Sequence, residues 1–256
     1  LYKFVDICGK TATIESFGVD ESDIYDEWLK TTIRKSGAYK GEVGLSESAQ
    51  NIRKRIVTTF FNWCILDRKW IEKTDFKLKQ SSPPKVIKLI TPIQFQRLLD
   101  CEDNEYLRSY YKLAWNCGLR RKEINPTELF EDPNMGWCLL VPETKGRSTV
   151  ERSVPIPENN IVDWYNVKEK MYSLGHITHQ FRKACKKADV YEPYITTFHT
   201  LRHSYATLKC VEGMHLMELA QYLGHTTTKT TEKYAQAKSG YYAMLRKEKQ
   251  DGVFVN

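Results

Sequence analysis

The segment Thr197 to Tyr234, TFHTLRHSYATLKCVEGMHLMELAQYLGHTTTKTTEKY, constrains the fold more tightly than any other. Its reactive side chains are spread over several helical patterns and meet only if the chain folds them onto one spot. His199 and Arg202 are three residues apart, so a helix places them on one face. Thr197 is a suitable N-cap for that helix. Gly224 can end a helix just before His225, and the threonine run that follows can start another. Tyr234, nine residues beyond His225, falls on that further helix. Two histidines, an arginine and a tyrosine suit phosphoryl chemistry. Cationic and hydrogen-bonding groups steady a transition state that gains negative charge, and a phenol can attack.

A chain of 256 residues has room for one large domain or two modest ones. The run KLKQSSPPKVIK, Lys77 to Lys88, reads as an extended basic connector. The expected division is a helical domain over 1–80, a basic linker over 81–90, a second domain over 91–238, and a tail over 239–256. A basic linker suits a clamp closing on a polyanion, and equally a solvated hinge. The net charge of +7 favours an anionic partner, with nucleic acid the first candidate. No apolar run approaches the roughly 18 residues of a membrane span. The opening LYKFVDICGK lacks the apolar core of a signal peptide. Seven cysteines, odd in number and without a CxxC pair, read as reduced core residues of an intracellular protein. His176 and His179 read as loop or surface histidines. With no glycine-rich phosphate loop and no HExxH, no metal and no cofactor are expected.

Along the first domain, Ser22 to Lys35 reads as a helix with Ile24, Trp28 and Ile33 on one side. Ser46 caps a long helix to about Arg68, whose Ile52, Ile56, Phe60 and Cys64 form a core stripe that Phe61, Trp63 and Ile65 broaden. Arg53, Lys54 and Arg55 on that helix could reach DNA phosphates, although a solvated face explains them better when taken alone. Lys85 lies in the linker. Thr91 and Pro92 open the second domain with a capped helix, and Glu105 to Asn116 is another. In CGLRRKEI, Arg120 and Glu123 sit three apart on the next helix, with Arg121 beside them; a surface ion pair would look the same. Trp137 to Val141 and Val150 to Ile156 form a hairpin with Lys145 near its tip. Helices follow over Trp164 to Tyr172 and Ile177 to Asp189. The second carries Arg182, Lys183, Lys186 and Lys187, which fit a DNA-backbone face or a solvated face equally well. His203 takes a structural role beside His199. After a break at Ser239–Gly240, an amphipathic helix from Tyr241 to Lys249 packs on its own domain or on a neighbouring copy.

In order, Arg120, Lys145, His199, Arg202, His225 and Tyr234 sit in CGLRRKE, TKGRS, HTLRH and LGHTTTKTTEKY. This series resembles the tyrosine recombinase, or phage integrase, family from Thr91 to Tyr234. FFNWCILDRKWIEKTDF resembles the end of the family's helical core-binding domain. The resemblance implies a mainly α fold with a small antiparallel sheet, arranged as a two-domain DNA clamp. It implies that Tyr234 attacks a backbone phosphorus, forming a 3′-phosphotyrosyl link and freeing a 5′-hydroxyl. Arg120 and Arg202 would grip the non-bridging oxygens, as planar, permanently charged forks can. His199 would manage the tyrosine proton, Lys145 would protonate the leaving oxygen, and His225 would add a phosphate contact. Glu123 and His203 would support these groups.

Double-stranded DNA is the implied partner, with tetramers on paired sites, accessory DNA-bending proteins, and a cytoplasmic, nucleoid-associated location. The tail helix would then dock on a neighbour. Cys117 replaces the family's usual threonine and Gln236 a frequent histidine; neither is a reacting group. A type IB topoisomerase and a non-catalytic DNA-binding relative are the competing readings. The filled reacting positions and the HTLRH and LGH boxes weigh against them.

Overall fold

The computed structural model describes residues 2–9, 13–34, 40–80, 87–143, 151–193 and 195–250. The chain divides into two compact units, Leu1–Lys85 and Val86–Asn256.

The first unit contains α1 (Tyr2–Cys8), α2 (Val19–Thr31) and α3 (Glu47–Leu66). Phe4, Phe17, Tyr25, Leu29, Val57, Phe61, Cys64, Ile71 and Phe76 form its core. Ser46 caps α3 as its sequence requires, its Oγ accepting from the Ala49 N–H at 3.3 Å. The buried faces are only partly those expected. Ile24, Ile33, Ile52 and Ile56 are each about half exposed or more. Cys64 and Phe61 of α3 are buried as expected, and Tyr25 and Leu29 of α2 and Val57 of α3 join them in place of the isoleucines. Both helices carry apolar residues on more than one side. A four-residue repeat does not choose between adjacent faces, and the rings that fill most volume took the interior.

Lys54 corrects an expected DNA contact. It is only 5% exposed, ion-paired to Asp26, and donates to the Lys79 carbonyl at 2.9 Å. It fastens the segment after α3 back onto the helices. The Lys77 N–H donates to Ser22 Oγ at 3.0 Å and strengthens the same attachment.

The second unit contains α4 (Pro92–Asp100), α5 (Glu105–Asn116), α6 (Arg121–Ile124), β1 (Glu128–Asp132), β2 (Gly136–Val141), β3 (Arg152–Pro155), α7 (Ile161–Glu169), α8 (Leu174–Lys187), α9 (His199–Val211), α10 (Leu216–Leu223) and α11 (Lys229–Gln250). Thr91 and Gln94 form a reciprocal capping box with Pro92 in the first turn. The sheet runs β1-β2-β3, wholly antiparallel, with Leu129 opposite Leu139 and Leu139 opposite Val154. β1, ELFED, is acidic and short, and its strand was not foreseen; pairing with β2 makes it one. The sheet and α5 share a core that includes Leu113, Trp115, Leu139, Val141, Val154, Phe181 and Leu201.

Part of the expected linker belongs to this unit. Ile90 is buried, and its N–H donates to Ser204 Oγ at 2.9 Å. The tail differs too: α11 runs unbroken through Ser239 and Gly240. Tyr234 and Tyr241, two turns apart on α11, are both buried. The Tyr241 hydroxyl donates to the Ile90 carbonyl at 2.8 Å, and Glu248 is hydrogen-bonded to Thr91. Packing on its own unit outweighs the weak helix preference of Gly240. No described helix is long and apolar enough to cross a membrane.

Candidate active site

Three guanidiniums converge on one carboxylate. Glu123, in α6, is 2% exposed. It accepts from the Arg120 N–H at 2.8 Å and from Arg120 Nη1 at 2.6 Å. It also accepts from Arg152 Nη2 at 2.9 Å, and Arg202 Nη1 stands 3.6 Å away. Burial alone would raise the Glu123 carboxyl. The charges of Arg152 and Arg202 and the bond from the Arg120 N–H overcome this and hold it at about 2. Three positive charges against one negative leave the cluster with a surplus of two, which an anion can neutralise.

Arg202 is fully buried in α9. Its Nη1 donates to the Gly118 carbonyl at 2.8 Å, and its Nη2 to the Leu223 carbonyl. Its Nε has no hydrogen-bond partner among the described residues. Burial and the Arg120 charge lower its pKa, but the guanidinium stays protonated at neutral pH. Gly118 is required where it stands. Its φ is +63°, and a Cβ there would lie 2.4 Å from the Tyr205 ring.

Gly224 ends α10 with φ +62°, which turns the chain so that His225 faces Arg202. Arg202 Nη2 lies 3.2 Å from His225 Nε2, and His225 Nδ1 lies 2.8 Å from Thr231 Oγ1. A guanidinium only donates, so Nε2 accepts, the ring proton sits on Nδ1, and Nδ1 donates to Thr231. Burial and the Arg202 and Arg120 charges lower the His225 pKa to about 3, which favours this neutral form.

Tyr234, 1% exposed, enters from α11 of the same chain. Its hydroxyl lies 3.0 Å from His203 Nδ1. Burial raises its pKa, with Arg202 and Arg120 pulling the other way, so the phenol is neutral at rest. His203 is lowered to about 3 by burial and by the positive side of the site, so its ring is neutral, and its tautomer sets which of the pair donates. His199 packs edge to face on His203, ring centres 4.4 Å apart. Enclosure, then Arg202, Lys233 and Arg120, lower His199 to about 4. His199 is nonetheless exposed to solvent, which weakens both the burial effect and the reach of those cations.

Arg120, Arg202, His225, Tyr234, Glu123 and His203 are thus gathered at one place, with His199 beside them. His203, given a structural role beside His199, lies within hydrogen-bond distance of the tyrosine hydroxyl. The expected N-cap Thr197 also shifts to Phe198, which makes no side-chain capping bond. Lys145 and Lys85 lie outside the described residues. Arg53 lies 5.7 Å over Trp28, and Arg55 is exposed in the first unit. Arg121 is half-buried beside Arg120. Arg182, Lys183, Lys186 and Lys187 are exposed on α8, away from the cluster's hydrogen bonds; Lys187 pairs with Asp103 at 3.5 Å and Lys186 lies over Tyr191. Arg152 was missed. The sequence marks it only weakly, as a basic residue two before Val154 in a strand that also carries Ser153.

The fold is that of the tyrosine recombinases. Over 91% of this chain it matches a lambda integrase dimer bound to a COC′ core site, with a TM-score of 0.67, 16% identity and 68% of that chain covered. It also matches the Tn1549 transposon integrase in complex with transposon right end DNA, with a TM-score of 0.62, 18% identity, and 96% and 91% of the two chains covered. At such identities the likeness establishes architecture alone. In sequence, the chain is 27% identical over 252 residues to a tyrosine recombinase of Thermosipho africanus, covering 91% of this chain and 84% of the relative. It is 22% identical over 225 residues to tyrosine recombinase XerA of Saccharolobus solfataricus, covering 83% and 73%. Residues 88–240, more than half the chain, match the phage integrase family, and the protein belongs to it. It is an enzyme of DNA recombination.

Proposed function

We propose that the protein is a site-specific recombinase that cuts and rejoins DNA through Tyr234, integrating or excising a phage or mobile element. The observation that carries this reading is the seating of the Tyr234 hydroxyl 3.0 Å from His203 Nδ1, one residue from Arg202, in its own chain. The hydroxyl attacks the scissile phosphorus as the P–O5′ bond breaks; the bound phosphate offsets the cations that depress the neighbouring histidines, and the pair His199 and His203 then takes the phenolic proton. Arg120 and Arg202 hold the non-bridging oxygens, with His225 beside them and His199 at the solvent edge. Lys145, by family resemblance, protonates O5′. The phosphotyrosyl bond keeps the energy of the broken linkage, so an incoming 5′-hydroxyl reverses the step with no nucleotide cofactor.

Double-stranded DNA is the proposed substrate, supported by the DNA complexes among the structural relatives. Tetramers on paired sites, with the action confined to the cytoplasm and nucleoid, complete the proposal. The exposed cations of α8, with Arg53, Arg55, Arg121 and Lys85, are proposed DNA-backbone contacts. The curated relatives are recombinases, which leaves strand relaxation of the topoisomerase type disfavoured.

The test is a selection of nicked suicide duplexes from a random library, followed by denaturing gels. Wild-type protein should accumulate a covalent adduct on the selected duplex. Tyr234→Phe should bind that duplex and form none. An adduct that survives the substitution removes Tyr234 as nucleophile.

A further inference from the structure

Arg152, on β3, lies in none of the boxes that carry the family resemblance. Its side chain is 7% exposed and reaches three separate features of the site. Nη2 donates to Glu123 Oε2 at 2.9 Å. Nε donates to the Tyr222 carbonyl at 2.7 Å, near the end of α10. The rest of the guanidinium lies against Gly224, where a Cβ would stand 2.8 Å from Nη1 and 3.0 Å from Cζ. Nη1 is buried with no hydrogen-bond partner among the described residues.

We propose that Arg152 is a positioning residue for DNA cleavage, a strut that ties the turn carrying His225 to the carboxylate that orients Arg120 and Arg202. This rests on the recombinase reading above. The guanidinium spans two directions at once, which its rigid fork permits and a lysine ammonium on a flexible stem does not. Glu123 and the Tyr222 carbonyl are 99 residues apart in sequence, and Arg152 joins them through one side chain. It sets the spacing between His225 and the two arginines, so that one phosphate meets all three. Stability alone does not explain it. An apolar side chain would fill the space without leaving a buried donor unpaired or adding a third positive charge to the cluster. Glycine at 224 also fits this role, since any side chain there would displace the strut.

The experiment uses full-length protein and the nicked duplex recovered from the suicide selection. Thermal midpoint, duplex affinity by gel shift and single-turnover adduct formation are measured for wild type, Arg152→Gln and Arg152→Lys. Arg152→Gln should slow adduct formation about 10²-fold while affinity changes little, as small displacements of reacting groups do. Arg152→Lys restores the charge facing Glu123 but not the tie to Tyr222, and should recover part of the rate. A wild-type protein that forms no adduct refutes the recombinase reading instead. With wild type active, three results overturn the strut: an unchanged rate in Arg152→Gln, losses of rate and affinity that follow the thermal midpoint together, or failure of both variants to fold.

Discussion

Lys54 in the first unit and Arg202 in the second are both buried cations, and they are treated in opposite ways. Lys54 meets one carboxylate and one carbonyl, and its charge is matched. Arg202 shares a single carboxylate with Arg120 and Arg152, beside three histidines that its own charge helps keep neutral. The first arrangement closes a fold. The second holds unneutralised positive charge in a water-poor place, which is costly unless an anion arrives. A surplus of buried charge therefore separates a candidate phosphate site from a structural ion pair more sharply than burial does.

The contrast can be broken most directly at Arg202. Arg202→Gln should lower the rate of adduct formation by about 10³-fold, the scale of losing a preorganised donor to a developing oxyanion. A stability loss exceeding the catalytic loss would make Arg202 a structural residue like Lys54. Next in size is Lys54→Met, which leaves the Lys79 carbonyl without its donor and Asp26 with only Lys30. It should cost the first unit about 1–3 kcal/mol, read from a urea midpoint. No change would mean that Lys54 is not the fastening described.

The pH dependence sharpens the same contrast. His199, His203 and His225 fall from 6.5 to about 4, 3 and 3 on folding. Between pH 6.5 and those values the unfolded chain binds more protons than the folded one. Stability from these groups is thus full above pH 6.5 and is lost as pH falls. The midpoint of the second unit should drop on acidification from pH 7 to 5, and His203→Gln should flatten the slope. A flat wild-type profile would show that the cluster does not hold its histidines neutral. The smallest effect is expected at Gly240, inside α11, where a Cβ would meet nothing within 4 Å and φ is not positive. Gly240→Ala should raise the thermal stability by about 0.5–1 kcal/mol. A decrease would mean that the chain bends there and that Tyr241 does not anchor the helix of Tyr234.

Much of the second unit was legible because its signals are local. The Thr91 capping box, the paired strands β2 and β3, and Gly224 at the end of α10 depend on residues a few positions apart. The first unit was less legible. Ile52 and Ile56 follow the same helical period as Val57 and Phe61, and only packing against Phe4, Phe17 and Phe76 selects the inner face. The break expected at Gly240 failed for a similar reason: Tyr241 finds a partner 151 residues away at Ile90.

By itself the sequence determined which chemical groups are present and which of them share an element: His199, Arg202 and His203 on one helix, His225 after a glycine turn, Tyr234 on the helix that follows. Tertiary structure alone decided that His203 rather than His199 meets the tyrosine, that Lys54 turns inward, and that Arg152 joins the arginine cluster. Helical and strand periods fix neighbours within an element. The meeting of side chains from different elements is set by how their buried faces pack, and that depends on the whole core at once.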